Sequence, residues 1–157
     1  DVSIVEFYDY NCGYCKKAQA SVEDLIKSDS KVRVIYREFP ILGQESLEMA
    51  KVSVAVNMVS PKSFKSFHDQ LMQTKEKGKS AALKAAKSAG VNTTELEKTL
   101  SGKKDEIEKI INSSIELGSS IGISGTPGFV VGEELIPGAV DKASLQEKIK
   151  AIREKKS

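Results

Sequence analysis

The chain has 157 residues, with 24 Lys and Arg against 22 Asp and Glu and a net charge of +2. That near-balance gives no electrostatic case for nucleic acid or an acidic membrane, and the length suits one domain that buries roughly two thirds of its surface. No apolar run approaches the roughly 20 residues of a membrane span, and the chain opens at Asp1 without a signal peptide, as a processed or trimmed polypeptide would.

Residues 2–8 (VSIVEFY) are nearly all apolar, which predicts a central strand covered on both faces. Glu6 interrupts the run. An unpaired buried carboxylate is costly, so Glu6 is expected either to meet a partner or to serve proton transfer near Cys15. A helix then runs from Cys12 to about Ser28, with Ala18, Val22, Leu25 and Ile26 on one stripe.

Cys12 and Cys15 are the only cysteines, and they sit three apart in the first turn of that helix. The spacing puts both on one face, close enough to bridge. A disulfide across so short a loop constrains the unfolded chain little, so a stabilising staple explains it poorly. Position explains it better. Four unpaired N–H groups and the positive dipole end lie at a helix start. They favour a thiolate on Cys12, below the pKa of about 8.5 of a free cysteine. Lys16 and Lys17 add weak positive potential, and Cys15, one turn deeper, is the less accessible thiol. In the chemistry that follows, one thiolate attacks a disulfide and the second thiol resolves the mixed disulfide. A zinc site needs about four ligands, and one Cys-x-x-Cys with a single His does not supply them within one chain.

Ser28-Asp29-Ser30 reads as a turn, and Lys31 to Phe39 as a second strand ended by Pro40. Strand, helix and strand with short turns imply parallel pairing. Strand signals then stop for about eighty residues. Glu45 to Val59 is apolar on several sides and predicts a well-buried helix. Ser60-Pro61 resembles an N-cap followed by proline at the first helical position. Phe64, Phe67, His68, Leu71 and Met72 form the next stripe, on which His68 is expected to be packed rather than catalytic and the two Phe to belong to the core. Ser80 to Ala89 is an alanine-rich helix closed by Gly90, and Thr94 with Glu97 suggests a capping box for a helix ending near Gly102. A long helix follows, striped by Ile107, Ile110, Ile111, Ile115 and Ile121, with Gly118 and Gly122 permitting close packing or an end.

Strand character returns after a Gly125-Thr126-Pro127-Gly128 turn. Phe129 to Val131 and Leu135-Ile136 form a hairpin about Gly132-Glu133. Asp141 caps a last helix with Leu145, Ile149 and Ile152 inward, and the charged tail from Arg153 to Ser157 is expected to fray. Strands at both ends of one domain must share a sheet. The expected architecture is therefore α/β, with residues 1–42 and 117–157 forming the sheet unit and 43–116 a helical insertion.

That order, with Val5-Glu6-Phe7 leading into Cys12-Gly13-Tyr14-Cys15, Phe39-Pro40-Ile41-Leu42-Gly43, and Gly125-Thr126-Pro127 before the hairpin, resembles the thioredoxin fold with an inserted helical domain. It is similar to the DsbA-like periplasmic thiol–disulfide oxidoreductases over essentially the whole chain. The resemblance implies an exposed nucleophile at Cys12, a buried resolving thiol at Cys15, a redox disulfide between them, and a cis-proline at Pro127 that lies beside the dithiol and binds substrate backbone. It matches Glu6 to the family's buried acid. Gly13-Tyr14 and the Thr126 before the cis-proline resemble the isomerase branch, DsbC, and the helical insertion resembles DsbA. ScsC-like proteins and Com1-type outer-membrane antigens combine both features.

The resemblance implies substrate contacts at Gly13, Tyr14, Thr126 and Pro127, with apolar Ile41 and Leu42 near Tyr14 as a peptide-binding rim. It implies no cofactor and no metal. It implies misoxidised or unfolded substrate proteins, a membrane redox partner of the DsbB or DsbD type, and a periplasmic or cell-envelope address. Homo-oligomerisation would run through a segment before Asp1. The expected activity leans to isomerase or reductase, with a DsbA-type dithiol oxidase or a copper- or zinc-handling thiol protein as alternatives. The pair is expected to be oxidising, with the reduced form the more stable to unfolding.

Overall fold

The computed structural model describes residues 1–156. Its first strand, β1 (Val2–Tyr8), is central in a four-stranded sheet. It pairs in parallel with β2 (Val32–Glu38), Val2 opposite Val32 and Tyr8 opposite Glu38. On its other side it pairs antiparallel with β3 (Gly128–Val131), and β3 pairs antiparallel with β4 (Glu134–Pro137), giving the order β2-β1-β3-β4. The strands from the two ends of the chain thus share one sheet, as expected. Two residues, Gly132 and Glu133, close the hairpin, and Gly132 has a φ of 63°.

Alternation along β1 sets its two faces. Val2 and Ile4 pack with Ala18, Val22 and Leu25 of α1 (Gly13–Ser28), with Phe129 and Val131, and with Leu145 and Ile149 of the last helix. Phe7, on the opposite face, packs with Phe39 and Ile123. Between β2 and β3 the chain is helical: α2 (Gln44–Val59), α3 (Phe64–Gln73), α4 (Gly78–Ser88), α5 (Thr93–Gly102) and α6 (Lys104–Ser120). Helix α2 lies at the heart of this block, with Met49, Ala50, Val52 and Ala55 buried against Phe67, Leu71, Ala82, Leu96 and Ile107. Its burial on several sides follows from its apolar content, which confines its polar contacts with solvent to Gln44, Glu45, Glu48, Lys51 and Asn57.

The two regions meet along α6. A Cβ on Gly118 would lie 2.6 Å from Phe39 and 3.1 Å from Phe7, so glycine is what lets the helix close on the sheet. Ser114, one turn earlier, donates to the Glu38 carbonyl at 2.6 Å. Ile107 and Ile111 are buried as the stripe predicts, but Ile110 and Ile121 are exposed.

Three end signals differ from expectation. Asn92, not Thr94, caps α5, its side chain accepting from the Glu95 N–H at 3.1 Å. Asn92 reaches N3 from one residue before the helix, which places Thr94 inside it. Ser60 is an N-cap residue with Pro61 first after it, as expected, but of a 3-10 turn, Pro61–Ser63, and the Ser60 hydroxyl bonds that of Ser63 instead of a backbone N–H. The tail does not fray through Lys156: α7 (Lys142–Lys156) is capped by Asp141, and Arg153 pairs with Asp1 and Asp29. Ser157 lies outside the described residues.

Candidate active site

The site forms where β1 runs out. After Tyr8 the chain turns on Asp9, whose carboxylate accepts the Asn11 N–H at 2.8 Å while its carbonyl accepts the Cys12 N–H at 3.0 Å. That turn delivers Cys12 to the N-cap of α1 with extended dihedrals (φ −83°, ψ 116°). The Cys12 sulfur takes the place that an oxygen normally fills at an N-cap, accepting the Cys15 N–H at 3.1 Å. Both cysteines are thiols here, the reduced state of the expected pair. Cys12, expected to be exposed, is itself buried, keeping 5% of its surface because its sulfur is turned onto the start of α1 and the Thr126 carbonyl; Cys15, one turn deeper, keeps none.

The Thr126–Pro127 bond is cis. The Cys12 thiol donates to the Thr126 carbonyl at 3.3 Å, so residues 114 apart in sequence meet at the dithiol. Gly13 borders open space, since a Cβ there would meet nothing within 4 Å. Tyr14 stands 68% exposed, and Ile41 and Leu42 are 42% and 52% exposed.

The thiols are pushed apart electrostatically. The Cys15 thiol's hydrogen bond, with others from Thr126 and from the Cys15 and Tyr14 backbone, pulls Cys12 down to about 6 against the cost of burial. Burial and the hydrogen bond to Cys12 push Cys15 far up. One sulfur is thus a ready thiolate at neutral pH and the other holds its proton. Lys16 is tethered, donating to the Thr74 carbonyl at 2.6 Å and the Leu71 carbonyl at 3.4 Å. Burial lowers its pKa, and its charge faces both cysteines.

Glu6 is wholly buried, and neither carboxylate oxygen has a hydrogen-bond partner. Of its two expected fates, the paired one is not found. Burial and then the Cys12 charge raise it to about 8, against Lys65. Its neighbour across the strands is Tyr36, whose hydroxyl also lacks a partner. Gln19, itself buried, donates to Asp69 at 2.6 Å, beside Lys65, between α1 and α3.

Sequence reasoning missed a buried polar cluster behind the dithiol. Tyr8 and Ser53 donate to the Glu38 carboxyl, Ser53 at 2.8 Å. The Tyr10 hydroxyl lies 3.1 Å from Ser53 and 2.8 Å from His68 Nδ1. Burial drives His68 down to about 3, so it is neutral and packed, as its stripe predicts. Burial raises Glu38 to about 8. Tyr8, Tyr10, Glu38, Ser53 and His68 come from four elements and one turn, and no sequence spacing joins them. Asp9 was missed too, although a second acid after Glu6, three residues before Cys12 in a largely apolar stretch, was a visible signal.

A family model described as a DSBA-like thioredoxin domain matches residues 3–150. The chain belongs to the DSBA-like thioredoxin domain family. Solved structures agree. A thioredoxin-like oxidoreductase from Silicibacter pomeroyi is 36% identical with a TM-score of 0.90, covering 98% of this chain and 87% of that one. The thiol–disulfide exchange protein alpha-DsbA2 of Wolbachia pipientis is 31% identical with a TM-score of 0.91, covering 97% and 82%. Proteus mirabilis ScsC in a compact conformation is 31% identical with a TM-score of 0.84, covering 95% and 81%. A curated relative, the Na(+)/H(+) antiporter NhaA 3 of Salinispora tropica, is 23% identical over 131 residues, and this chain spans 20% of its length. The DSBA-like domain described here is a thiol–disulfide oxidoreductase domain of the DsbA/ScsC type. Among its described residues no helix is long and apolar enough to cross a membrane.

Proposed function

We propose that this chain exchanges disulfides with protein substrates in the bacterial cell envelope, through Cys12 and Cys15, and that it acts mainly as an isomerase or reductase. One observation carries the proposal: the Cys12 sulfur sits at a helix N-cap, 3.3 Å from the Thr126 carbonyl and beside a cis-proline. There a substrate strand can lie against the Thr126–Pro127 backbone with its own sulfur in line with Cys12. Gly13 borders open space, and Tyr14, Ile41 and Leu42 offer apolar contact. Residues 1–42 and 117–157 then act as the catalytic unit, with 43–116 as a helical insertion against it.

In isomerisation the Cys12 thiolate attacks a wrong substrate disulfide, forms a mixed disulfide and releases a substrate thiolate. That thiolate attacks another sulfur of the same substrate, and the chain of exchanges returns the electrons to Cys12. When a substrate stalls, Cys15 resolves it. Its sulfur attacks Cys12, the substrate sulfur leaves with the bonding pair, and the Cys15 proton passes to a nearby base. Glu6 is the buried acid available for that transfer, acting through its carboxylate form, which is a minor species at pH 7 and reaches half of the population near pH 8. The oxidised pair is then reduced again by a membrane partner of the DsbD type.

The lean to isomerase rests on Gly13-Tyr14 and Thr126. A second reading, a dithiol oxidase recharged by a DsbB-type partner, is favoured by the stabilised Cys12 thiolate, which makes the pair a better electron acceptor. Ribonuclease separates the two. Recovery of activity from scrambled ribonuclease supports isomerase; fast oxidation of reduced ribonuclease without such recovery supports oxidase. A copper- or zinc-handling role would need ligands from a second molecule, and metal uptake by the reduced chain tests it.

A further inference from the structure

The exposed Ile41–Leu42 segment is held by one side chain. Asp9 is 2% exposed. Its Oδ2 accepts the backbone N–H of Ile41 at 2.9 Å and of Leu42 at 3.0 Å. Its Oδ1 accepts the Asn11 N–H at 2.8 Å and the Ser46 hydroxyl at 2.7 Å. Asn11 closes the ring by donating from its side chain to Ser46 at 3.0 Å. The same residue's carbonyl receives the Cys12 N–H. A single buried carboxylate therefore ties the turn that presents Cys12 to the loop that presents Ile41 and Leu42, and to the first turn of α2.

The chemistry selects a carboxylate. Four donors converge on two oxygens, two on each, and a carboxylate alone among side chains of this size accepts at both ends. An asparagine would turn an NH₂ toward one pair of donors. Hydrogen bonds to a charged acceptor are also stronger than neutral ones. Gly43, next in the chain, has a φ of 107°, so the loop leaves the clasp in a conformation that other residues resist. Ile41 and Leu42 expose their side chains while their backbone is fixed, as suits a preformed apolar wall.

We infer that Asp9 is a positioning residue that holds Ile41 and Leu42 as one wall of the substrate groove, and that it governs affinity for extended polypeptide bearing an apolar residue beside its cysteine. This deepens the proposed exchange function and rests on it. In Asp9→Asn the side-chain oxygen can still take the Asn11 and Ser46 donors and the residue 9 carbonyl still takes the Cys12 N–H, while an NH₂ facing the Ile41 and Leu42 N–H groups frees the wall.

The experiment compares two reductants of the oxidised chain: dithiothreitol, too small to span the groove, and an extended peptide with leucines flanking two cysteines. Asp9→Asn should raise the half-saturating peptide concentration about tenfold, and should lower the peptide rate far more than the dithiothreitol rate. A double-mutant cycle identifies the route. In an I41S/L42S background, Asp9→Asn should cause little further rise in the half-saturating peptide concentration. Equal losses with both reductants, or additive effects in the cycle, would overturn the inference. Should Asp9→Asn not fold, Ser46→Ala removes one of the four bonds and carries the same comparison, with an expected peptide-selective loss of about two- to threefold. A wild-type chain reduced by neither reagent at an appreciable rate would instead remove the exchange function on which the inference rests.

Discussion

Raising pH from 5 to 9 should stabilise the reduced chain relative to its Cys12→Ser variant. The Cys12 pKa is lowered from 9.0 to about 6 in the fold. A depressed pKa contributes stability that is complete above the unfolded value and is lost as pH falls through the folded one. The window therefore runs from about pH 9 down to about pH 6. Linkage from these two values gives essentially nothing at pH 5, about 1.4 kcal/mol at pH 7 and about 3.7 kcal/mol at pH 9. These are upper bounds, because solvent reaching the sulfur screens part of the interaction, and about half of each is the working expectation. Burial raises Glu38 and Glu6 to about 8, so they act in the opposite direction, destabilising the fold as pH climbs above their ordinary range. Taking the difference from Cys12→Ser cancels Glu38 and most of Glu6. Urea unfolding of both proteins at pH 5, 7 and 9 reads the difference, and thiolate absorbance near 240 nm titrates Cys12 directly. The same stabilisation favours the reduced state of the pair, by up to about 30 mV at pH 7, since 1.4 kcal/mol corresponds to that potential for two electrons. A difference that stays flat from pH 5 to 9, or a Cys12 titration at or above 8, would refute this account of the dithiol.

Glu6→Gln should change stability little near pH 4, where the carboxyl is protonated in the folded and the unfolded chain alike, and should stabilise the fold increasingly from about pH 4.5 to about pH 8, where the unfolded chain releases a proton that the partnerless buried carboxyl keeps; unfolding at pH 4 and pH 9 reads the sign. The same variant should slow formation of the Cys12–Cys15 bond from a preformed mixed disulfide about tenfold or more in stopped-flow measurements at pH 9, where the Glu6 carboxylate predominates, with a smaller effect at pH 6, where it is protonated. Gly118→Ala adds a Cβ 2.6 Å from the Phe39 ring, and overpacking of that kind should cost about 1–3 kcal/mol and lower Tm, despite alanine's better helix propensity. Tyr10→Phe removes the hydroxyl shared by His68 and Ser53 and should cost about 1–3 kcal/mol, leaving His68 Nδ1 buried without its donor or acceptor; an unchanged urea midpoint would argue against a cohesive cluster.

What was legible in the chain is what neighbours in sequence decide. The apolar run of β1, the stripes of α1 and α3 and the glycine-first hairpin each carry their own period or turn chemistry, and each is found in place. The dithiol was legible because both partners lie in one helical turn. Pro127 was not, from spacing: the fold brings the Thr126–Pro127 segment back to Cys12 across 114 residues of chain, and only resemblance to a family put it there. The Asp9 clasp and the Tyr8–Tyr10–Glu38–Ser53–His68 cluster stayed hidden for a plainer reason. Each hydroxyl or carboxyl in them looks like an ordinary solvated group until four segments close over it. Asn92 outcompeted Thr94 as a cap because it stands one residue before the helix rather than within it, a difference that a motif read without coordinates does not resolve.

Arg153 reaches both Asp1 and Asp29. Asp29 ends α1 and Cys12 begins it, so 16 helical residues, about 24 Å at 1.5 Å each, lie between the clasped ends and the sulfurs. A tether, label or surface linkage joined at residue 1 would therefore leave from the back of the molecule. A molecule held through residue 1 on a bead or sensor chip would keep its mouth facing the solution.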